Sequence, residues 1–276
     1  MRKKTEVVVK SNRLIEASYR LNLVEQQIIL FAISRSRDEQ CGLSPDRPVT
    51  ITASDFAAMF GSNETKVYGQ LKEAMSDLFD RSVTIHDTDP ETGKPRVVTT
   101  RWISDKAYID GAGRIQMTFA PRVIPYITRL ETEFTSYRLE KIGGMSSAHA
   151  VRLYELLVQY LSIGERELAL ADLKRALGLE GEYAAIKDFK KWVLDVAVKQ
   201  INAHSDLRVA YTQRKTGRAV THLLFTIKSA EPEAKPKKAK RITPGDIKAA
   251  ARPGESDDQV FRRLLEERGQ QRLIES

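Results

Sequence analysis

The chain carries one short pattern twice. "DFAAMFG" spans Asp55–Gly61 and "DLKRALG" spans Asp172–Gly178, and the copies begin 172 − 55 = 117 positions apart. Each reads Asp, a large apolar residue, two variable residues, an apolar residue or Ala, a large apolar residue, then Gly. Glycine enters the left-handed region that a Cβ would penalise, so each copy predicts a short helix ended by a tight turn. Two such helix-and-turn units, far apart in one chain, point to a duplicated architecture.

The flanking segments repeat as well. Before the first copy, residues 13–36 place apolar residues at helical spacing, "GLSPDRP" is a loop and "VTIT" (Val49–Thr52) a short strand. Thr52 and Asp55 stand at capping-box spacing. After it come a helix over about 64–79, strands "SVTIHD" and "RVVTTRWIS" around the turn "TDPETGKP", and the hairpin "AYID-GAG-RIQMTF". Around the second copy, "SSAHAVRLYELLVQYLS" is an amphipathic helix and "RELAL" a strand. "AIKDFKKWVLDVAVKQINAHS" is then a long helix, and "LRVAYTQ", "RKTG" and "RAVTHLLFTIK" make a hairpin. Helix, strand, helix, Gly turn, helix, hairpin is the order of a winged helix-turn-helix. The predicted class is α+β, with two tandem winged helix-turn-helix domains.

Within each unit the helix after the glycine is the one that would read DNA. In the first copy Val67, Leu71, Ala74, Met75 and Leu78 form a core stripe, and Thr65, Lys66, Gly69, Lys72, Glu73 and Ser76 face away from it. In the second, Ile186, Phe189, Val193, Ala197 and Ile201 form the stripe. Lys187 and Lys191 lie opposite, with Lys190 at the edge, all in the half of the helix that enters the major groove in this motif. Arg214, Lys215 and Arg218 surround Gly217 at the hairpin tip, where they reach phosphates or a neighbouring groove. The candidate DNA-binding residues are therefore Lys187, Lys190, Lys191, Arg214, Lys215, Arg218, Thr65, Lys66 and Lys72. The second copy is expected to grip harder, because its helix and hairpin hold more cations.

The charge agrees with that chemistry: formal net charge is +8 and pI is near 9.4, which favours polyanionic partners. A single cysteine, Cys41, leaves no internal disulfide framework and suits a reducing cytoplasm. No apolar run is long enough to span a bilayer. The four histidines and the cysteine show no metal-ligand spacing, so neither metal nor cofactor is expected. "TGKP" lacks the flanking residues of a P-loop. "DTDPETGKPRVV" begins like a calcium loop but has Val98 at its twelfth position and is read as a turn. "HAVR" (His149–Arg152) with Tyr183 downstream is the one enzymatic alternative, a tyrosine-recombinase arrangement. It lacks an evident upstream arginine and a fitting C-terminal tyrosine, and the protein is read as a non-enzyme. A winged-helix transcriptional regulator is the remaining alternative, which the physics of the sequence leaves open.

Three segments resemble the plasmid replication initiators that bind repeated origin sites, the iteron-binding Rep proteins. They are "NRLIEASYRLNLVEQQIILFAI" (Asn12–Ile33), "FTSYRLEKIGGMSSAHAVRLYELLVQY" (Phe134–Tyr160) and "DLRVAYTQRKTGRAVTHLLFTI" (Asp206–Ile227), in order over roughly residues 12–228. The resemblance implies two winged-helix domains related by pseudo-symmetry. It implies monomers on direct repeats at the origin and dimers repressing the initiator's own promoter through an inverted repeat. It also implies recruitment of the host initiator and the replicative helicase. Its major-groove helix maps onto Ile186–Asn202, where lysines stand in place of the arginines that relatives often carry. A lysine cannot give the bidentate fork to guanine, so phosphate roles are expected before base-reading ones.

The expected organisation is a basic N-terminal arm (1–11), a first winged-helix domain for dimerisation and DNA backbone contact (12–133), a second as main reader (134–228), and a flexible basic linker and tail (229–276). In the tail, "EPEAKPKKAKR" reads as a solvated linker and "DDQVFRRLLEERGQQ" as a short helix. The Leu14/Leu21/Ile28 heptad is read as core-facing, not as a zipper.

Overall fold

The computed structural model describes residues 6–61, 64–89, 91–128, 133–230, 250–252 and 255–267. Residues 1–230 form one unit and 231–276 a second. The larger unit begins with β1 (Val7–Ser11), α1 (Asn12–Glu16) and α2 (Leu23–Glu39). The first winged helix continues through β2 (Val49–Thr52), α3 (Ala53–Phe60), α4 (Glu64–Asp80), β3 (Ser82–Thr88), β4 (Pro95–Arg101), β5 (Ile103–Ile109) and β6 (Arg114–Phe119). The second follows β7 (Phe134–Arg138) and comprises α5 (Ala148–Val158), β8 (Glu165–Ala169), α6 (Leu170–Ala176), α7 (Ile186–Phe189), a π turn (Lys190–Leu194), α8 (Asp195–His204), β9 (Leu207–Thr216) and β10 (Ala219–Ser229).

The duplication is visible in the sheets. One is ordered β2-β6-β5 and the other β8-β10-β9, so in both the strand before the helix-turn-helix pairs with the second strand of the wing. All these pairings are antiparallel. The first copy inserts an extra antiparallel pair, β3-β4, between its reading helix and its wing. "RVVTTRWIS", expected as one strand, is therefore divided between β4 and β5. Buried Trp102 stands at the break, where its main-chain N–H donates to the Arg81 carbonyl and its carbonyl accepts from the Ala120 N–H.

The two glycines that close the repeated helices have the expected geometry, with φ +67 at Gly61 and +69 at Gly178. Their surroundings differ. A Cβ on Gly61 would meet nothing within 4 Å, whereas one on Gly178 would sit 2.6 Å from the Tyr19 carbonyl oxygen. Gly178 is thus fixed by close backbone approach as well as by its dihedral. Thr52 Oγ1 accepts from the Asp55 N–H at 3.1 Å, capping the first repeated helix as its spacing predicts.

Two expectations are corrected. Residues 7–11, read as part of a basic arm, form β1, which pairs antiparallel with β7, and Lys10 is 1% exposed. The helix expected over 13–36 is broken after Glu16 and restarts at Leu23. The break has a partner across the core: Arg152 Nη2 donates to the carbonyls of Ile15 (2.9 Å) and Ala17 (3.0 Å), and also to that of Ala176 (2.8 Å). The chain restarts as a helix because Asn22 and Glu25 form a reciprocal capping box. Leu14, Leu21 and Ile28 are all buried, as a core-facing reading requires.

Among the described residues, the charged groups buried in this core have partners. Glu155 accepts from Lys10 Nζ (2.9 Å), Tyr137 Oη (2.8 Å) and Arg152 Nη1 (3.2 Å). Burial pushes the Glu155 carboxyl up, but Lys10 and Arg152 outweigh it and hold its pKa below the usual value. A second buried carboxylate, Asp87, accepts from Tyr126 Oη (2.7 Å), Arg96 (2.8 Å) and the Thr88 N–H (2.6 Å), and pairs with Arg13. Burial opposes its ionisation, yet these donors lower its pKa to about 2. An unfolded aspartate titrates near 3.9, so the ionised form stabilises the fold above about pH 4, and that contribution is lost as pH falls toward 2. The difference amounts to roughly 2–3 kcal/mol. Urea melts from pH 5 to pH 2 should fall more steeply for the natural protein than for Asp87→Asn. Equal slopes would remove Asp87 from this role.

In the smaller unit, α9 (Asp257–Glu267) is capped by Ser256, whose Oγ accepts from the Gln259 N–H while Gln259 accepts in return from the Ser256 N–H. Arg263 bridges Glu255 at 2.8 Å and the Ala250 carbonyl at 2.8 Å. The basic run expected as a linker lies outside the described residues.

Candidate nucleic-acid interface

The second reading helix is unusual in its middle. Phe189, Val193, Ala197 and Ile201 repeat every four residues, and all four are buried. At 3.6 residues per turn a four-residue repeat drifts around the helix. The π turn takes up the surplus: the Asp195 N–H bonds to the Lys190 carbonyl, five residues back, so the stripe stays on the core.

Facing away from that stripe, the helix and the β9-β10 wing enclose an open groove of about 470 Å³. Lys187, Lys190 and Lys191 line it from the helix, and Lys215 and Arg218 line it from the wing. Five cations face a single carboxylate, Asp195, in this lining. Tyr211 Oη donates to Asp195 at 2.5 Å, and burial together with that bond raises the phenol's pKa. Lys190 Nζ lies 5.6 Å from the Tyr211 ring centroid, so wing and helix are joined through two groove-lining residues, Lys190 and Asp195. Gln213 also lines the groove, a polar contributor that charge counting overlooks.

Arg214 is not part of this lining. Its guanidinium reaches Glu167 of β8 at 3.0 Å. Successive side chains on a strand alternate faces, so Gln213 and Lys215 share the groove side while Arg214 takes the other. That period of two is present in "TQRKT" and is enough to separate Arg214 from Lys215.

The first copy gathers its candidates less closely. Lys66 is exposed on α4, while the side chain of Thr65 lies outside the described residues. Lys72 is tied to the wing: its Nζ pairs with Asp110 at 3.0 Å and lies 5.3 Å from the Tyr108 ring centroid. Tyr68 Oη donates to the same Asp110 at 2.7 Å, which helps push the phenol's pKa up to about 12. A Cβ on Gly69 would meet no protein atom within 4 Å, so the fold does not demand glycine there.

The recombinase arrangement is overturned by burial. Arg152 is 3% exposed and its guanidinium is occupied by three main-chain carbonyls, Tyr19 Oη and Glu155. Tyr183 packs edge-on to Phe189, 6.1 Å between ring centroids. At the turn that begins like a calcium loop, Asp89 accepts from the Glu91 and Thr92 N–H groups, closing the β3-β4 hairpin. Among the described residues no cluster of three or more His, Cys, Asp or Glu is placed to hold a metal. Nor is any described helix long and apolar enough to cross a membrane.

Comparison with known proteins agrees with the duplicated winged-helix geometry. Residues 7–158 match the family model described as initiator replication protein WH1, and residues 169–227 match initiator Rep protein WH2. The chain belongs to this initiator replication protein family. It is accordingly a DNA-binding protein of a non-catalytic family. A replication initiation protein of Escherichia coli is 25% identical over 227 residues, covering 80% of this chain and 69% of the relative. An uncharacterized 27.6 kDa protein of Escherichia coli is 25% identical over 229 residues, covering 80% and 93%. The crystal structure of Pi initiator protein in complex with iteron DNA shares the fold, with a TM-score of 0.68 at 22% identity over 83% of this chain and all of that one.

Proposed function

We propose that this initiator starts replication of a plasmid by binding tandem direct repeats, the iterons, at the origin as a monomer. The observation that carries the reading is the groove in which Lys187, Lys190, Lys191, Lys215 and Arg218 converge from a reading helix and a wing. The family membership and the shared fold with an initiator bound to iteron DNA support it. The second winged helix (134–228) is the main reader. The first (12–133) contributes backbone contacts through Thr65, Lys66 and Lys72 and carries the dimer contact. As a dimer the protein represses its own promoter at an inverted repeat, which couples its level to plasmid copy number. Its protein partners are the host initiator and the replicative helicase, and it acts in the cytoplasm.

Two reading helices on one face of a duplex stand about 34–36 Å apart, so one monomer should cover roughly 20 base pairs. Six to ten phosphate contacts cost ~10³–10⁵ in affinity between 50 and 200 mM salt. Footprints on the DNA flanking the gene should show tandem direct repeats with that spacing and salt response. A clone of the gene with those repeats should sustain a plasmid in a suitable host. A lone protected palindrome without plasmid maintenance would make the protein a winged-helix regulator; affinity insensitive to salt would remove the groove from DNA binding.

A further inference from the structure

Trp192 is 59% exposed on the second reading helix, while the chain's other tryptophan, Trp102, is fully buried. Val196, four residues on, is exposed as well. The neighbouring core residues Val193 and Leu194 are buried, so the helix turns the indole away from the fold. Lys191 Nζ lies 4.3 Å from the Trp192 ring centroid, and Lys187 and Lys190 line the adjoining groove. An exposed apolar pair bordered by ammonium groups is a poor match to a protein partner, because lysine is depleted from protein–protein interfaces. It matches a polyanion that also presents apolar points. The major groove of duplex DNA is such a surface, with phosphates along its edges and the C5-methyl group of thymine within it.

We infer that Trp192 is a specificity-determining residue that packs its indole against a thymine C5-methyl in the major groove. The inference rests on the reading of this helix as the DNA reader and deepens it. The lysines beside Trp192 attract any duplex and lack arginine's fork for guanine. The indole gives the same helix a contact that depends on sequence. Val196 extends the apolar surface along the groove, and Lys191, stacked on the ring, is held toward the phosphates at its edge.

The test uses the full chain and a duplex carrying one repeat footprinted beside the gene. Each thymine is replaced in turn by deoxyuridine, which removes only the methyl group. Affinity is measured for the natural protein and for Trp192→Ala. At one or two positions uracil should weaken the natural protein by roughly fourfold for each methyl removed, and leave Trp192→Ala unchanged. Acrylamide quenching gives an independent reading, since Trp102 is buried and Trp192 supplies the accessible emission. Trp192 should be quenched in the free protein and shielded in the complex. Identical uracil effects in both proteins, or an indole still open to acrylamide in the complex, would overturn the inference while leaving DNA binding intact. If the natural protein does not bind the duplex, the DNA reading fails and this inference with it.

Discussion

Replacing Lys187 and Lys191 together by alanine should weaken repeat binding on the order of 30- to 150-fold, taking about 1 to 1.5 kcal/mol for each charge–phosphate interaction removed. Both ammonium groups line the groove between the reading helix and the wing, where Lys190, Lys215 and Arg218 concentrate positive potential. Removing two of five cations lowers the direct interactions and the field that the others share. The salt dependence separates the roles. Each lysine that neutralises a phosphate contributes about one to the slope of log affinity against log salt, so the double variant should lose about two. Weaker affinity with an unchanged slope would assign the pair to base edges. The matching change in the first copy, Thr65→Ala with Lys66→Ala, should cost less, because the neighbouring Lys72 is held by Asp110 and not gathered with other cations in a groove as Lys187 and Lys191 are. The reverse order of the two double variants would sink the proposed division of work between the copies.

The architecture is legible because its signals are local and repeated. Gly61 and Gly178 mark left-handed turns, Thr52 caps the helix it precedes, the buried stripe of α4 keeps helical period, and that of Phe189–Ile201 recurs every four residues. Lys187, Lys190, Lys191, Lys215 and Arg218 can be found from sequence because helix geometry separates core from exposed face, and the wing follows directly along the chain. Arg214 falls outside the groove because a strand alternates its faces, a period that proximity to Gly217 masks. The remaining features depend on contacts between distant residues. Lys10 follows three valines in a segment that opens with Arg2, Lys3 and Lys4, and its pairing with Glu155, 145 positions away, makes it a core residue. The break after Glu16 has no proline or glycine to announce it; its carbonyls are taken by a guanidinium from α5. Trp192 is foreshadowed in "KKW", since the core stripe runs through Val193 and leaves the indole outside.

Arg152→Met should be the most destabilising single change, by about 3–5 kcal/mol in urea unfolding, the lower part of the range for leaving three buried acceptors unpaired. Charge balance alone suggests the opposite. Lys10 and Arg152 share one carboxylate, Glu155, so removing a cation leaves a matched buried pair. The cost lies in the acceptors. One Arg152 nitrogen serves the carbonyls of Ile15, Ala17 and Ala176, which belong to the end of α1, the loop after it and the end of α6. A methionine fills much of the volume but donates nothing, and each orphaned buried acceptor costs about 1–3 kcal/mol. The guanidinium also lies 3.8 Å from the Tyr19 ring centroid and bonds its hydroxyl, so Tyr19 loses a cation over its face and a donor together. Arg152→Lys separates charge from geometry. It restores the cation but offers one nitrogen where the fork offers several, and should recover only part of the loss. If lysine restored full stability, the electrostatic attraction to Glu155 would be the dominant contribution. If Met were neutral, the three carbonyls would have to find other donors, and the break after α1 would need another cause.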